Sequence, residues 1–133
     1  MANEATPVEG PYETHDFTVA DGAGIEQYTL CYLTDPRTAA ANSGDGLAFA
    51  GIAATEKVAS NGKTELGLHT TGDFVLTACA NGGITAGELV AMSGANTIRP
   101  AVAADLLSGA VVGKAWEDIA AESTGEVHVG VTV

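Results

Sequence analysis

The chain alternates short apolar runs with glycines, and this pattern is clearest in its last third, residues 82–133. The final run, residues 126–133, alternates strictly and so places four valines on one face of a strand with a two-residue period. Further strands must cover that face. The dipeptide Asn61-Gly62 strongly favours a tight hairpin turn and predicts another antiparallel pair of strands upstream.

Strands of this length and spacing predict a mainly β protein, either a small β-barrel or a β-sandwich, with about eight to ten short strands. Two segments interrupt the strand pattern and predict one or two short helical turns. Asp35-Pro36 opens either a turn or one short helix, with the aspartate as the N-cap and the proline at the first helical position. Residues 100–107 form the second segment, and Ser108-Gly109 closes it.

The first 20 residues differ from the rest because they are polar, acidic and interrupted by prolines. The pattern predicts an extended N-terminal arm, residues 1–20, outside a single β-rich domain that spans residues 21–133. A plain disordered tail is the alternative. Four apolar side chains would anchor the arm on a neighbour, namely Val8, Tyr12, Phe17 and Val19.

Glycines and prolines recur at separations of 62–64 residues. This regularity predicts two pseudo-repeats, residues 24–86 and 87–133, which pack together because neither covers its own apolar face. A chance alignment of 17 glycines is the alternative. The matched positions are Gly24 and Gly87, Pro36 and Pro100, Gly46 and Gly109, Gly51 and Gly113, Gly62 and Gly125, and Gly67 and Gly130.

Composition and charge narrow the classes of partner. At 133 residues the chain is long enough for one modest core, and its apolar residues are mostly alanine and valine. A core of small side chains favours additional burial between subunits. Seventeen acidic and five basic residues give a net charge of −12. This charge argues against nucleic acid and anionic membranes as partners, and it fits either an ordinary soluble surface or adaptation to high salt.

The two cysteines and the N-terminus bear on the cellular compartment. Cys31 and Cys79 lie within apolar runs, which predicts two small buried side chains and leaves a single disulfide as the alternative. The first ten residues contain neither a basic residue nor an apolar run. We therefore expect no secretory signal peptide and synthesis in a cytoplasm.

Catalytic and metal-binding patterns are weak. His15-Asp16 and its acidic neighbours lie in the predicted arm, which offers no rigid surroundings for a site. The glycine-rich segment 21–24 lacks the Lys-Ser/Thr of a phosphate loop. Trp116 is either a sugar-stacking residue or a bulky plug of a core or interface. We therefore expect no enzymatic activity, no cofactor and no metal.

Five runs, taken in order, carry a resemblance to a known family. Their sequence follows the order of a glycine-valine-alanine strand, an alanine-rich turn that ends in Gly-Glu or Gly-Asp, and a final valine-rich strand. In this order they resemble the small capsid decoration (cement) proteins of tailed viruses. The runs are residues 49–53, 72–76, 84–90, 111–117 and 120–129.

The resemblance implies a non-enzymatic virion protein that lies on the outer surface of an icosahedral capsid. Such proteins form homotrimers and bridge neighbouring subunits of the major capsid protein, and this one would be synthesised in the host cytoplasm. Together with the acidic composition, the resemblance favours a virus of a halophile, such as a haloarchaeal tailed virus. A β-barrel module that binds carbohydrate or protein is the alternative. The candidate contacts with the capsid or with a neighbouring subunit are Val8, Tyr12, Phe17, Val19 and Trp116.

Overall fold

The computed structural model describes residues 3–81 and 83–130. Within them the chain forms eleven strands and one short helix, so the predicted mainly β class is confirmed. The elements are β1 (Thr6–Glu9), β2 (Thr14–Thr18), β3 (Leu30–Asp35), β4 (Thr38–Ala41), β5 (Phe49–Ala53), β6 (Glu65–His69), β7 (Gly72–Ala78), β8 (Leu89–Gly94), β9 (Thr97–Pro100), α1 (Ala103–Ser108), β10 (Val111–Ala115) and β11 (Thr124–Val129).

The strands close into two small barrels that follow each other along the chain. The N-terminal barrel contains β2 to β6 in the order β2-β4-β3-β5-β6. The C-terminal barrel contains β7 to β11 in the order β7-β11-β10-β8-β9, and a parallel pairing of β7 with β9 closes it. Strand β1 pairs antiparallel with the first part of β7. Closure satisfies the strand edges that an open sheet of this size would leave unpaired.

The two barrels have the same connectivity. Thr18 pairs with Thr38 in the parallel closure of the first barrel, and Thr77 pairs with Thr97, 59 residues later, in the second (77 − 18 = 97 − 38 = 59). Each barrel also has a register shift in one antiparallel pair, β3–β4 in the first barrel and β8–β9 in the second. The shift lies just before the turn that joins the two strands. The pairs β3–β5 and β5–β6 recur as β8–β10 and β10–β11.

The boundaries of the repeat differ from those predicted by the glycines. The repeating units run from β2 to β6 and from β7 to β11, rather than over residues 24–86 and 87–133. The segment between β9 and β10 is residues 101–110, whereas the equivalent segment between β4 and β5 is the shorter 42–48. The number of residues that separates equivalent positions (the offset) therefore grows from 59 to 62 at β5. The next loop is shorter in the second barrel and restores the offset to 59. Among the predicted pairs only Gly51 and Gly113 are therefore equivalent.

The N-terminal segment is extended, as predicted, but it is part of both barrels and not a separate arm. The amide of Ala5 donates a hydrogen bond to the Tyr28 carbonyl (2.9 Å), and β1 then pairs with β7. After a cis Gly10-Pro11 peptide, β2 pairs with β6 over five residues. Phe17 faces inward because alternate residues of β2 point into the barrel, and its ring is buried there.

Two apolar clusters fill the fold. One lies inside the N-terminal barrel and includes Cys31 and Leu68. The other contains the interior of the C-terminal barrel, and Leu30 and Ile52 from the outer face of the N-terminal barrel belong to it. Leu30 and Ile52 are fully buried, so the barrels dock through a continuous apolar contact.

The cysteines are both free. Cys31 is buried, as predicted, and burial raises the pKa of its thiol to about 12. Cys79 is only half-buried.

Candidate interaction surfaces

The short helix α1 presents an apolar patch to solvent. Its preceding residue Val102 is 60% exposed, Leu106 is 44% exposed and Leu107 is 94% exposed. We refer to these three residues as the helix patch. An almost fully exposed leucine on an ordered helix leaves its apolar surface available to a partner.

A charged network holds the helix patch in place. The buried Asp105 carboxylate accepts hydrogen bonds from the Val102 amide (2.7 Å) and from Nη1 of Arg99 (2.8 Å). Arg99 also donates from Nε to Oδ1 of Asp45 in the N-terminal barrel (2.8 Å). The Arg99 guanidinium holds the pKa of Asp105 below its ordinary value, chiefly through the hydrogen bond that it donates to the Asp105 carboxylate. The network therefore fixes the helix relative to both barrels.

The end of the helix is fixed by a second contact between the barrels. Gly109 has a left-handed backbone (φ 76°), which glycine adopts without strain. Its carbonyl accepts a hydrogen bond from the Phe49 amide of the N-terminal barrel (2.9 Å). Both ends of α1 are thus tied to the junction of the barrels, while the patch between them faces outward.

A second surface lies on the outer face of the C-terminal barrel around Trp116. The indole is 49% exposed and packs against the His128 ring, with 5.2 Å between ring centroids and 31° between planes. Oδ1 of Asp73 accepts a hydrogen bond from Nε1 of Trp116 (3.2 Å) and lies 2.7 Å from Nδ1 of His128. The pair is therefore held in one orientation by a shared carboxylate.

This surface borders a shallow cavity of about 190 Å³. Its side chains combine an aromatic ring, an aliphatic residue and two nitrogen-bearing groups, and we refer to them as the tryptophan face. They are Leu89, Lys114, Trp116 and His128. Trp116 is thus not a plug of the core, although it remains a candidate for an interface.

The other predicted contact residues have different fates. Val8 is half-exposed in β1, and Tyr12 is 37% exposed while it packs against His69 and Phe74 at centroid distances of 5.3 and 5.4 Å. Phe17 and Val19 are 9% and 2% exposed. These two side chains cannot contact a partner as predicted, because they fill the N-terminal barrel.

The sequence prediction missed the helix patch. The sequence predicts a helical turn in this segment, which contains the Leu106-Leu107 pair. Exposure of the pair depends on which helix face Asp105 turns inward, and that follows from the position of Arg99 on β9. A buried acidic residue between alanine and two leucines carries no local signal of its orientation.

The segments with possible chemistry form no assembled site in the described part of the chain. His15 lies 3.9 Å from Glu13, and the side chains of both are largely exposed. Within residues 3–81 and 83–130, no group of three His, Cys, Asp or Glu side chains could hold a metal ion. No helix among these residues is long and apolar enough to cross a bilayer.

No family model matches the sequence, and no characterised protein is significantly similar to it.

Proposed function

We propose that this protein is a capsid decoration (cement) protein that binds the outer surface of an icosahedral virus head. It would bridge neighbouring subunits of the major capsid protein and act as a homotrimer. The observation that carries the proposal is the rigidly held helix patch, with Leu107 94% exposed. The resemblance of the glycine-valine-alanine runs to cement proteins supports the capsid as the partner.

The helix patch has the properties of an anchor for a preformed surface. Burial of one exposed leucine stabilises a complex by about 1.5–3 kcal/mol. Because the Arg99 network already fixes α1, little conformational entropy is lost when the patch binds. The chain carries a net charge of −12, so the complementary surface would be an apolar pocket with a basic rim.

The mechanism of cementing requires no chemistry. A protein that binds the expanded capsid, but neither the unexpanded capsid nor its separated subunits, shifts the equilibrium toward the expanded capsid. Two fused barrels suit this role, since their hydrogen bonds and shared apolar cluster make one rigid block that spans a seam.

Replacement of Leu107 by aspartate tests the capsid contact. We expect Leu107→Asp to weaken binding to expanded, undecorated capsids by about tenfold or more, because it buries a charge where an apolar group was. The fold should be unaffected, since the side chain is almost fully exposed. Co-sedimentation with purified capsids measures the binding.

Val58→Asp is the matched control, because Val58 is a 54% exposed apolar residue of the N-terminal barrel. It should bind as the unmodified protein does. If Leu107→Asp also binds as tightly, or if the unmodified protein does not bind expanded capsids at all, the helix patch is not a capsid anchor.

We also propose that the protein works in high salt, as the acidic composition suggests. A trimer would carry a charge of −36 (3 × −12), and screening by salt relieves the mutual repulsion. The melting temperature should therefore rise between low and molar NaCl, measured by calorimetry or circular dichroism. A flat or falling curve contradicts the halophilic origin.

A further inference from the structure

The tryptophan face has an equivalent in the N-terminal barrel, and the two copies can be compared position by position. The register partners are Leu89, Lys114 and His128 in the C-terminal barrel and Leu30, Ile52 and His69 in the N-terminal barrel. Because equivalent positions meet the same demands of the fold, a difference in side chain between them points to what each surface contacts.

The copy in the N-terminal barrel is covered. Leu30 and Ile52 are fully buried in the cluster that contains the interior of the C-terminal barrel. The His69 ring packs against the rings of Tyr12 and Phe74, with centroid distances of 5.3 and 6.0 Å. Apolar and aromatic neighbours are what a surface buried within one chain requires.

The copy in the C-terminal barrel keeps the histidine and its hydrogen bond but changes the partner. In the N-terminal barrel, Oγ1 of Thr14 lies 3.0 Å from Nδ1 of His69. In the C-terminal barrel, Oδ1 of Asp73 takes that place, 2.7 Å from Nδ1 of His128. The same oxygen accepts the hydrogen bond from the Trp116 indole, so this carboxylate holds both rings.

Trp116 occupies a position that is alanine in the other barrel. The Ala54 amide donates to the Gly67 carbonyl, and the Trp116 amide donates in the same way to the Glu126 carbonyl (2.9 Å each). Alanine satisfies the fold at this position, so the barrel itself does not require an indole. An indole that is 49% exposed leaves apolar surface in water, and a ligand that covers it gains this burial.

The hydrogen-bonding groups of the face have defined roles. A carboxylate only accepts, so Nδ1 of His128 donates to Asp73. Nε2, on the far side of a neutral imidazole, then carries a lone pair and accepts. Lys114 adds an ammonium donor, and it forms no ion pair with any described residue. The cavity thus offers one acceptor, one donor and a flat aromatic surface.

Charge and size narrow the class of ligand. The net charge of −12 repels anionic ligands, and Lys114 repels cationic ones at the cavity itself. The cavity measures about 190 Å³, below the roughly 300–1,000 Å³ of pockets that enclose drug-sized ligands. It therefore suits a single small ring. A pyranose is such a ring, neutral, with an apolar C–H face for the indole and hydroxyl groups at its edge.

We propose that the tryptophan face binds a neutral saccharide, with one pyranose ring stacked on Trp116. A sugar hydroxyl donates to Nε2 of His128, and the Lys114 ammonium donates to a second sugar oxygen. Because Asp73 already holds both aromatic rings, little conformational entropy is lost on binding. The site shares no residue with the helix patch, so this activity goes beyond capsid binding and does not depend on it.

Titration of the full chain with neutral oligosaccharides tests the site. The probes are cellotetraose, lactose and tri-N-acetylchitotriose, and tetragalacturonate is the anionic comparison. Trp116 is the single tryptophan of the chain, so its fluorescence reports on this surface alone. We expect at least one neutral probe to give a saturable change, and tetragalacturonate to bind at least about tenfold more weakly than that probe.

Substitutions assign the binding to the proposed groups. Trp116→Ala and Lys114→Met should each weaken binding of the same probe about tenfold or more. Isothermal titration calorimetry measures the binding, because the first variant lacks the fluorophore, and far-UV circular dichroism checks the fold of each variant. Lys63→Met is the matched control, since it removes an exposed lysine of the N-terminal barrel, and it should bind as the unmodified protein does.

The proposal is overturned if no neutral probe binds, if tetragalacturonate binds as tightly as the best neutral probe, or if both substitutions leave binding unchanged. Trp116→Ala should still co-sediment with expanded capsids, and loss of that binding would assign this face to the capsid. Leu107→Asp should still bind the saccharide. Failure of the saccharide site and failure of the capsid anchor are therefore distinguishable.

Discussion

Removal of residues 1–20 will leave a chain that does not fold. The deletion takes away β1 and β2, and β2 pairs with both β6 and β4 to close the N-terminal barrel. It also removes three buried side chains, Ala5, Phe17 and Val19. Truncation of a buried phenylalanine alone costs about 3–5 kcal/mol, against a typical total stability of about 5–15 kcal/mol. Far-UV circular dichroism and urea unfolding should show no cooperative transition.

Point substitutions separate the contribution of the core from the loss of chain. Phe17→Ala should lower the free energy of unfolding by about 3 kcal/mol or more, because its ring lies inside the barrel. Val8→Ala, at a half-exposed position of the same segment, should change it by no more than about 0.5 kcal/mol. A truncated chain that unfolds cooperatively and keeps the native spectrum would show that this segment is a dispensable arm after all.

Lys57→Met should lower the free energy of unfolding by about 1–3 kcal/mol. The Lys57 side chain is 1% exposed, and its Nζ donates to the carbonyls of Asp21 (2.9 Å) and Val58 (2.7 Å) and to Oδ1 of Asn61 (2.9 Å). Nζ also lies 3.1 Å from Oδ1 of Asp21. Methionine keeps the apolar stem but removes the donor to the Val58 carbonyl, while the other three oxygens keep hydrogen bonds from the backbone amides of Ser60, Gly62 and Lys63. Chemical denaturation at neutral pH measures the loss.

The cost of this substitution should shrink in acid. The hydrogen bond from Lys57 holds the pKa of Asp21 below its ordinary value in the folded state. A carboxyl group whose pKa is lower in the folded than in the unfolded state stabilises the fold fully at any pH above its unfolded-state pKa. This stabilisation is lost as the pH falls through the folded-state pKa. Lys63→Met, at an exposed site, should cost no more than about 0.5 kcal/mol at any pH. Equal stability of Lys57→Met and the unmodified protein would contradict the structural role of Lys57.

The strands could be predicted from the sequence where alternation is strong, as in β11, where Val127 and Val129 face inward. Strand β2 has one apolar residue, Phe17, in a run of polar ones, and only its pairing with β6 makes it a strand. The parallel closures of the barrels join segments that lie apart in the chain and leave no local pattern. For that reason the sequence predicts the β class correctly, but its prediction of a separate arm over residues 1–20 is wrong.

The repeat could be detected from glycines but not aligned by them. Glycine recurs where a turn or a close approach demands it, and equivalent positions need not keep it. A residue with a left-handed backbone precedes β3 in the first barrel and the equivalent strand β8 in the second. It is Tyr28 in the first case and Gly87 in the second. A buried position near the end of the barrel is Lys57 in one copy and Ile119 in the other, each in a bridge to an equivalent isoleucine. Different solutions to the same local requirement conceal the duplication.

The interaction surfaces depend on how the barrels meet, and that information is not local. Trp116 was recognisable as an unusual residue, yet its exposure follows from the barrel that leaves its face uncovered. The helix patch owes its orientation to Arg99 and Asp45, which come from different barrels.

Calorimetry of expanded capsids purified without this protein is the most direct test of the cementing function. Addition of the folded protein should raise the temperature of the capsid transition, and the rise should saturate once every binding position is filled. When the concentration of free protein is 100 times the dissociation constant, binding stabilises each site by about 2.7 kcal/mol. A capsid transition that stays at the same temperature at saturating concentrations of this protein would contradict the proposal.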